Sequence, residues 1–305
     1  ARRGPTESDD LKQVTFYKNT EKGEELADWS MEYSFDGSAR KTTTLYEYST
    51  EPYKTDCLRE VTTYRDYTID IAGDLERSNP RGTLADTSLK SRAAYVGDIK
   101  GEEIIDYVDS YNAGVTTADT RTTYYYYASS DDKFSSASTD LVYSYLTRTI
   151  VRRGTNGATK QVSFYKTAEK GEELINWSQE FVYNGTGTKT TTLYDYGEGL
   201  YDDCLREVRV YKSTHNYTID PEYLDNYLEQ PEPADTLMKT HTYYVGDIKG
   251  EEIINYSDNY RLGTTDIDSR TTYYYYASAG QKFAGASDDL TYSYLTRTVT
   301  RRGTD

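Results

Sequence analysis

The sequence repeats itself, and this repetition limits the possible folds more than any other feature. An identical stretch, YVGDIKGEEII, occupies Tyr95 to Ile105 and Tyr244 to Ile254. Two further stretches, RTTYYYYAS from Arg121 and YSYLTRT from Tyr143, recur at the same offset, 149 residues later. Because a repeat unit is stabilised by burying a face against its neighbours, repetition informs on architecture before it informs on chemistry.

The repeat predicts two units, residues 1–153 and 154–305. The motif Arg-Arg-Gly begins at Arg2, at Arg152 and at Arg301, so the chain ends on the motif with which its own repeat starts. We therefore expect a section of a longer tandem array. The expected partners are copies of the same chain or adjacent repeats.

Each unit is itself double. A Lys-Gly-Glu-Glu motif begins at Lys22, Lys100, Lys170 and Lys249, and aromatic residues stand seven and eleven positions after each lysine. This inner period divides the chain into quarters of about 1–77, 78–153, 154–228 and 229–305, in an A-B-A′-B′ order. We predict a structural role for the aromatic positions, which are Trp29, Tyr33, Tyr107, Tyr111, Trp177, Phe181, Tyr256 and Tyr260.

The quarters have the composition and alternation of β-strands. Thr and Tyr favour a pleated, half-buried surface, and apolar residues alternate over nine positions from Ala27 to Phe35. The first quarter predicts strands near 13–19, 24–36, 41–49 and 56–68. A helix is predicted in the variable inserts, such as the one from Pro221 to Leu228. The predicted fold is all-β: a solenoid-like stack of antiparallel hairpins, open at both ends.

The charge balance narrows the range of partners. The chain has 51 acidic and 35 basic residues, a formal net charge of −16, and 35 tyrosines. Nucleic acids and anionic membranes attract basic surfaces, so we expect neither as a partner. No apolar run approaches the ~20 residues that cross a bilayer as a helix, so membrane insertion is not expected.

The turn and strand motifs resemble those of the YD-repeat (RHS-type) bacterial surface proteins. The resemblance rests on Phe35-Asp36-Gly37, on Tyr183-Asn184-Gly185 and on the Tyr-x-Gly-Asp turns at Tyr95 and Tyr244. It implies a spiralling β-sheet, an extracellular or cell-surface location, and a structural, encapsulating or adhesive role. The quarter found here is much longer than the repeat of that family.

Catalytic and metal-binding patterns are not evident. The two histidines, His215 and His241, have no histidine counterpart in the first unit, and no nucleophile or zinc signature accompanies them. The paired glutamates of the Lys-Gly-Glu-Glu motif supply two carboxylates each, fewer than the ligands calcium needs. We favour charged turns that protect a strand edge over metal sites. The prediction is therefore no enzyme, no cofactor and no metal.

The two cysteines occupy the same motif, DCLREV, in each unit. A disulfide requires Cα atoms about 4.4–6.8 Å apart, which equivalent positions of successive units do not satisfy. We predict free, inward-facing thiols at Cys57 and Cys204; an intermolecular disulfide is the alternative.

Two features allow more than one interpretation. The tyrosine runs Tyr124 to Tyr127 and Tyr273 to Tyr276 could form packed cross-strand ladders or an exposed platform for carbohydrate, and ring exposure distinguishes them. A basic seam, which we define as Arg152, Arg153, Arg301 and Arg302, could clamp the acidic surface of an adjacent repeat or subunit.

The sequence thus predicts a structural repeat protein of an extracellular fibre, sheath or surface appendage. The alternative is a multivalent carbohydrate- or surface-binding module, similar to an adhesin or lectin. A toxin-encapsulating shell is a third hypothesis.

Overall fold

The fold is all-β and antiparallel, as predicted. A computed structural model describes residues 11–19, 22–51, 55–66, 80–197, 203–219 and 221–303. The chain divides into two compact units, residues 1–157 and 158–305. The first Arg-Arg-Gly motif, at Arg2, lies outside the described residues.

Unit 1 is an antiparallel meander. From β1 to β7 each strand pairs with the next along the chain, and β9 and the short β8 both pair with β7. Within the described residues of this unit β1 and β9 do not pair, so its sheet is open. The strands are β1 (Gln13–Lys18), β2 (Leu26–Tyr33), β3 (Arg40–Tyr48), β4 (Leu58–Arg65), β5 (Leu89–Val96), β6 (Ile104–Tyr111), β7 (Ala118–Tyr126), β8 (Ser135–Ser136) and β9 (Leu146–Arg153).

Unit 2 repeats this topology, with β17 and β18 both on β16. Its one α-helix in the described residues, α1 (Pro221–Asp225), lies in the insert where a helix was predicted. The strands are β10 (Thr159–Lys166), β11 (Leu174–Phe181), β12 (Thr188–Tyr196), β13 (Leu205–Lys212), β14 (Met238–Val245), β15 (Ile253–Tyr260), β16 (Ile267–Tyr275), β17 (Ala284–Gly285) and β18 (Leu295–Arg302).

The four strands predicted in the first quarter are confirmed as β1 to β4. β1, β2 and β4 are shorter than predicted by one to a few residues at their ends, whereas β3 has the predicted length and begins one residue earlier. Residues 67 and 68 of the predicted fourth strand lie outside the described part. The segment after each Lys-Gly-Glu-Glu motif is a strand in every quarter. Alternation was therefore the correct guide.

A register shift recurs in the first hairpin of every quarter. The extra residue lies on the second strand of that hairpin, just after the turn that contains the Lys-Gly-Glu-Glu motif; it is Asp28, Asp106, Asn176 or Asn255. Such bulges increase local twist and redirect side chains. The shifts lie between Phe16 and Tyr17, Ala94 and Tyr95, Phe164 and Tyr165, and Tyr243 and Tyr244.

The buried core is divided among the quarters. In the A quarter Trp29, Met31, Tyr33 and Leu45 form one cluster, with Phe16 and Tyr64 packed on it. In the B quarter a separate cluster gathers Ile104, Tyr126 and Leu141, and its counterpart in B′ gathers Tyr275, Ala284 and Leu290. Tyrosine supplies much of this packing because its ring can be buried while its hydroxyl reaches a backbone acceptor.

Candidate functional site

The Lys-Gly-Glu-Glu turn is closed in the same way in all four quarters. The second glutamate accepts a hydrogen bond from the backbone N–H of the turn glycine, over 2.8–2.9 Å in every copy. Each of these glycines has a positive φ, between 82° and 91°, which favours glycine over residues with a Cβ. The pairs are Gly23 with Glu25, Gly101 with Glu103, Gly171 with Glu173, and Gly250 with Glu252.

A tyrosine hydroxyl fixes the second and third strands of every quarter. The donor ends the third strand and the acceptor is the carbonyl of the second residue of the preceding strand, at 2.8–3.0 Å. A buried hydroxyl needs such a partner, and a bond of this kind contributes about 0.5–1.5 kcal/mol. The pairs are Tyr48 with Ala27, Tyr126 with Ile105, Tyr196 with Ile175, and Tyr275 with Ile254.

The DCLREV motif joins the A quarter to the B quarter of unit 1. The other carboxylate oxygen of Glu103 accepts from the backbone N–H of Leu58 at 2.8 Å, and Arg59 donates to the carbonyl of Gly97 at 2.6 Å. Gly97 has a φ of 147°, and a Cβ there would lie 3.0 Å from the Cα of Glu103. Only glycine permits this close approach.

Unit 2 forms the same junction. Glu252 accepts from the N–H of Leu205 at 2.8 Å, and Arg206 donates to the carbonyl of Gly246 at 2.7 Å and to Asp247 at 2.9 Å. One glutamate of the repeated motif therefore serves both its own turn and the neighbouring quarter. In the B quarters this double role accounts for the presence of the second glutamate, Glu103 or Glu252.

The first glutamates of the two A quarters form surface ion pairs. Lys100 donates to Glu24 at 2.6 Å, and Lys249 is paired with Glu172 in the corresponding place. The hydrogen bond and charge of Lys100 lower the pKa of Glu24. Across the described residues, no three or more histidines, cysteines, aspartates and glutamates converge as a metal site would require.

The predicted aromatic positions fall into two classes. In the A quarters Trp29, Tyr33, Trp177 and Phe181 are buried, with exposed fractions of 2, 6, 0 and 5%. Trp177 stacks on Phe164 with ring centroids 4.3 Å apart. In the B quarters the matching Tyr107, Tyr111, Tyr256 and Tyr260 are only half-buried.

The half-buried tyrosines of the B quarters pack beside an ion pair that the sequence reasoning missed. Arg121 donates twice to Asp109, at 2.7 Å each, and its guanidinium lies 3.9 Å from the ring centroid of Tyr107. Asp109 is 3% exposed. The signal was present in the repeats, since an aspartate two residues before Tyr111 and an arginine before the tyrosine run occur in both units.

The counterpart pair in B′ has the same geometry. Arg270 donates to both carboxylate oxygens of Asp258, at 2.6 and 2.8 Å, and lies 4.3 Å from the ring of Tyr256. Asp258 is 1% exposed. Bidentate arginine–carboxylate pairs of this kind are strong and directional because the guanidinium is planar.

The tyrosine runs are largely covered rather than displayed. Tyr126 is buried and Tyr124, Tyr125 and Tyr127 are half-buried. Tyr127 stacks on Tyr145 at 5.0 Å. The second run repeats this pattern, with Tyr276 stacked on Tyr294, also at 5.0 Å, so neither run offers an open platform of rings.

The four arginines of the basic seam are the last two residues of β9 and of β18. Arg152 lies opposite Arg121, and Arg301 lies opposite Arg270. Arg152 and Arg153 are half-buried, whereas Arg301 and Arg302 are exposed. A third arginine on each strand lies between two rings: Arg148 by Tyr125 and Phe134 at 4.5 and 4.3 Å, and Arg297 by Tyr274 and Phe283 at 4.4 Å each.

Both cysteines are buried and neither forms a disulfide. Cys57 is 1% exposed and Cys204 is 3% exposed. Burial raises the pKa of each thiol, with a smaller contribution from the nearby Glu103 or Glu252. Their surroundings therefore favour the unreactive thiol over the thiolate.

The histidine of β14 replaces an arginine of β5. His241 Nε2 lies 2.7 Å from Glu207 and its Nδ1 lies 2.9 Å from the hydroxyl of Tyr243. In unit 1 the corresponding pair is Arg92 with Glu60. The strand register thus identifies Arg92 as the counterpart of His241.

Fully exposed aromatic rings also recur between the units. Phe35 and Tyr183 occupy matching β-turns and are 104 and 84% exposed. Tyr143 and Tyr292 precede β9 and β18 and are 68 and 78% exposed. These side chains are more exposed than the tyrosine runs and are available to a flat ligand.

Comparisons with known proteins give no family. No family model matches the chain, and no curated protein matches it. Among solved structures, one match is described as a crystal structure of a porin-like protein from Bacteroides uniformis. It is 11% identical over 97% of this chain and 98% of its own, with a TM-score of 0.25, which is too low to support an argument about fold or function. In the described residues, no helix has the length and apolar character needed to cross a membrane.

Proposed function

We propose that this chain is a structural repeat protein that contributes to an extracellular fibre, sheath or surface appendage, with copies of itself or adjacent repeats as partners. One observation carries the proposal: the contacts that recur in all four quarters are the ones that fix the backbone. The glutamate–glycine turn and the tyrosine–carbonyl bond are present four times with nearly equal distances. An extended assembly requires a backbone arrangement that is repeated from one unit to the next.

The side chains on the sheet faces support the same interpretation. These side chains differ between the A and B quarters, and even between A and A′, while the glutamate–glycine turn and the tyrosine–carbonyl bond are the same. A duplicated binding or catalytic site would instead repeat its functional groups. The histidine positions differ in this way, since His241 stands where the first unit has Arg92.

Microscopy of the purified chain tests the proposal. Negative-stain images over a range of protein concentrations should show filaments or sheets that lengthen as the concentration rises. Compact particles at every concentration and at low salt would contradict it.

The basic seam provides a directed variant. Arg301 and Arg302 are exposed, so Arg301→Glu with Arg302→Glu should weaken assembly with an acidic neighbouring surface, most clearly at low ionic strength. A matched control is Lys41→Glu with Lys90→Glu, which makes the same charge change at exposed positions away from the seam. Equal assembly of the two variants would exclude Arg301 and Arg302 as the clamp.

A second function, binding to surface carbohydrate, is favoured by the exposed rings alone. Phe35 and Tyr183 project from matching turns, so one chain would present two similar contacts. Co-sedimentation with insoluble chitin, cellulose or peptidoglycan tests it, with Phe35→Ala plus Tyr183→Ala expected to abolish binding. Binding that survives this variant would exclude these rings.

A further inference from the structure

Unit 2 contains a groove that the proposed structural role does not use. Its volume is about 420 Å³, and it lies at the ends of β13, β14 and β15 opposite the Lys-Gly-Glu-Glu turn. Its apolar floor consists of Met238, Tyr260 and Leu262, and three lysines stand at its rim: Lys189, Lys212 and Lys239. Met238 is 8% exposed, whereas Leu262 is 53% exposed and open to a ligand.

In unit 1 an arginine fills the corresponding place. Arg65 ends β4 as Lys212 ends β13, and both pair with the matching threonine of the preceding strand. The guanidinium of Arg65 donates to the carbonyl of Leu89 at 2.6 Å and to that of Tyr111 at 2.7 Å. Leu89 and Tyr111 are the counterparts of Met238 and Tyr260 in the groove.

The exchange of arginine for lysine accounts for the groove. A guanidinium is planar and presents a rigid fork of donors, so it can lie across two strands and satisfy a carbonyl on each. An ammonium group is compact and strongly hydrated, and the side chain of Lys212 is exposed rather than laid into the sheet. The space that Arg65 occupies in unit 1 is therefore left open in unit 2.

We propose that this groove binds a small amphipathic anion, an aromatic or short aliphatic carboxylate. The apolar part of the ligand would contact Met238, Tyr260 and Leu262, and its carboxylate would lie among the ammonium groups at the rim. Lys189 is ion-paired with Glu180 at 3.4 Å, so the carboxylate would lie mainly between Lys212 and Lys239, a local excess of positive charge in a chain of net charge −16. Charge at the rim selects an anion, and the apolar floor selects a ligand with a hydrocarbon body.

The methionines provide a direct test. The chain has two, Met31 in the core of the first quarter and Met238 in the groove. In protein labelled with ¹³C at the methionine methyl groups, 4-phenylbutyrate should shift the Met238 resonance saturably and leave the Met31 resonance in place. The neutral analogue 4-phenylbutanol should bind at least several-fold more weakly.

Two exchanges of side chains make the test specific. Lys212→Arg should close the groove as Arg65 does in unit 1 and abolish the Met238 shift, although the charge is unchanged. Lys282→Arg, at an exposed position outside the groove, is the matched control and should bind as the unaltered chain does. The reciprocal Arg65→Lys variant should gain a second binding event, counted by equilibrium dialysis of 4-phenylbutyrate.

The outcomes separate clearly. No shift of Met238, an equal shift of Met31, or undiminished binding by Lys212→Arg would each overturn the proposal. Near-ultraviolet circular dichroism of each variant establishes that it is folded. Assembly observed by microscopy is a separate measurement, so the ligand site can fail while the structural role stands.

Discussion

At one cross-strand position the A quarters and the B quarters carry different pairs of side chains. In the A quarters the second and third strands place Met31 opposite Thr43 and Gln179 opposite Thr191. In the B quarters the same position holds the ion pairs Asp109 with Arg121 and Asp258 with Arg270. The backbone frame around the position is the same, so the sheet does not require either chemistry.

The difference between these pairs depends on whether another segment of the chain covers that face of the sheet. In A′ the insert after β13 lies over the strands: Tyr227 is 4% exposed, and its carbonyl accepts from the indole N–H of Trp177 at 3.1 Å. A covered face can bury Trp177 and the neutral Gln179, which donates to Thr191 at 3.1 Å. In the B quarters the arginine keeps part of its surface in solvent, with exposed side-chain fractions of 25 and 29% for Arg121 and Arg270. A charged pair is tolerated where one partner remains hydrated.

The largest expected loss of stability comes from removing a ring on the covered face, and it can be compared with the same change on the more open face. Trp177→Ala should lower the free energy of unfolding by about 3–5 kcal/mol, because a fully buried indole and its hydrogen bond are lost. Tyr256→Ala, at the matching position of B′, should cost about 1–2 kcal/mol, because its ring is only half-buried. Urea denaturation followed by far-ultraviolet circular dichroism measures both. Equal losses would show that the two faces are equally packed.

The next effect concerns the ion pair itself. Asp258→Asn should cost about 2–4 kcal/mol because it leaves the charge of Arg270 without its partner, although partial hydration of Arg270 moderates the loss. Asp258→Gln combined with Arg270→Thr installs the pair found in A′ and should restore most of this stability. Urea denaturation followed by far-ultraviolet circular dichroism measures the stability of both variants. A double variant as unstable as Asp258→Asn would mean that the B′ frame needs the charges.

A smaller loss of stability, equal in the A′ and B′ quarters, is expected when the tyrosine–carbonyl bond that both contain is removed. Tyr196→Phe in A′ and Tyr275→Phe in B′ each remove one hydroxyl that donates to a backbone carbonyl, at 2.9 and 2.8 Å. Each should cost about 0.5–1.5 kcal/mol. Values that differ between the two by more than this range would indicate that the shared frame is not energetically uniform.

The smallest effect is expected in moderately alkaline solution. Burial raises the pKa of Tyr48 to about 12, and it also raises the pKa values of Tyr196 and Tyr275. These phenols stay protonated in the fold and ionise more readily when it unfolds. Their contribution to stability is therefore full below their ordinary pKa of 10.0 and falls as the pH rises from there through the folded-state values.

Denaturation midpoints at pH 9, 10 and 11 would measure this loss. The Tyr196→Phe variant should lose less stability between pH 9 and 11 than the unaltered chain, since it lacks one of the ionising groups. A steeper loss in the variant would contradict the assignment of the pKa shift to that phenol.

A comparison of the two A quarters shows how different side chains can make one contact. In unit 1 Arg81 donates to the carbonyls of Asp28 and Tyr46 at 3.1 and 3.2 Å. In unit 2 Gln230 donates to the matching carbonyls of Asn176 and Tyr194, at 3.1 and 2.8 Å. The charged pair of Arg81 with Asp28 is thus replaced by a neutral pair of amides, and the insert is anchored at the same place.

The strands and turns were determined by the sequence itself. Alternation from Ala27 to Phe35 identified β2, and repetition transferred that assignment to β6, β11 and β15. The glycine of each Lys-Gly-Glu-Glu motif marked a turn because few other residues adopt its positive φ. These features depend on residues close together in the chain, so a single sequence with four internal copies is enough to find them.

The environment of each position was decided only by the tertiary structure. The sequence treated Trp29, Tyr107, Trp177 and Tyr256 as one class, yet the first and third are buried and the others are half-buried. That division depends on the path of the inserts and on strand register, which bring together residues as distant as Trp177 and Tyr227. The groove at Met238 has the same origin. In unit 1 Arg65 lies across the corresponding space, whereas in unit 2 Lys212 leaves it open.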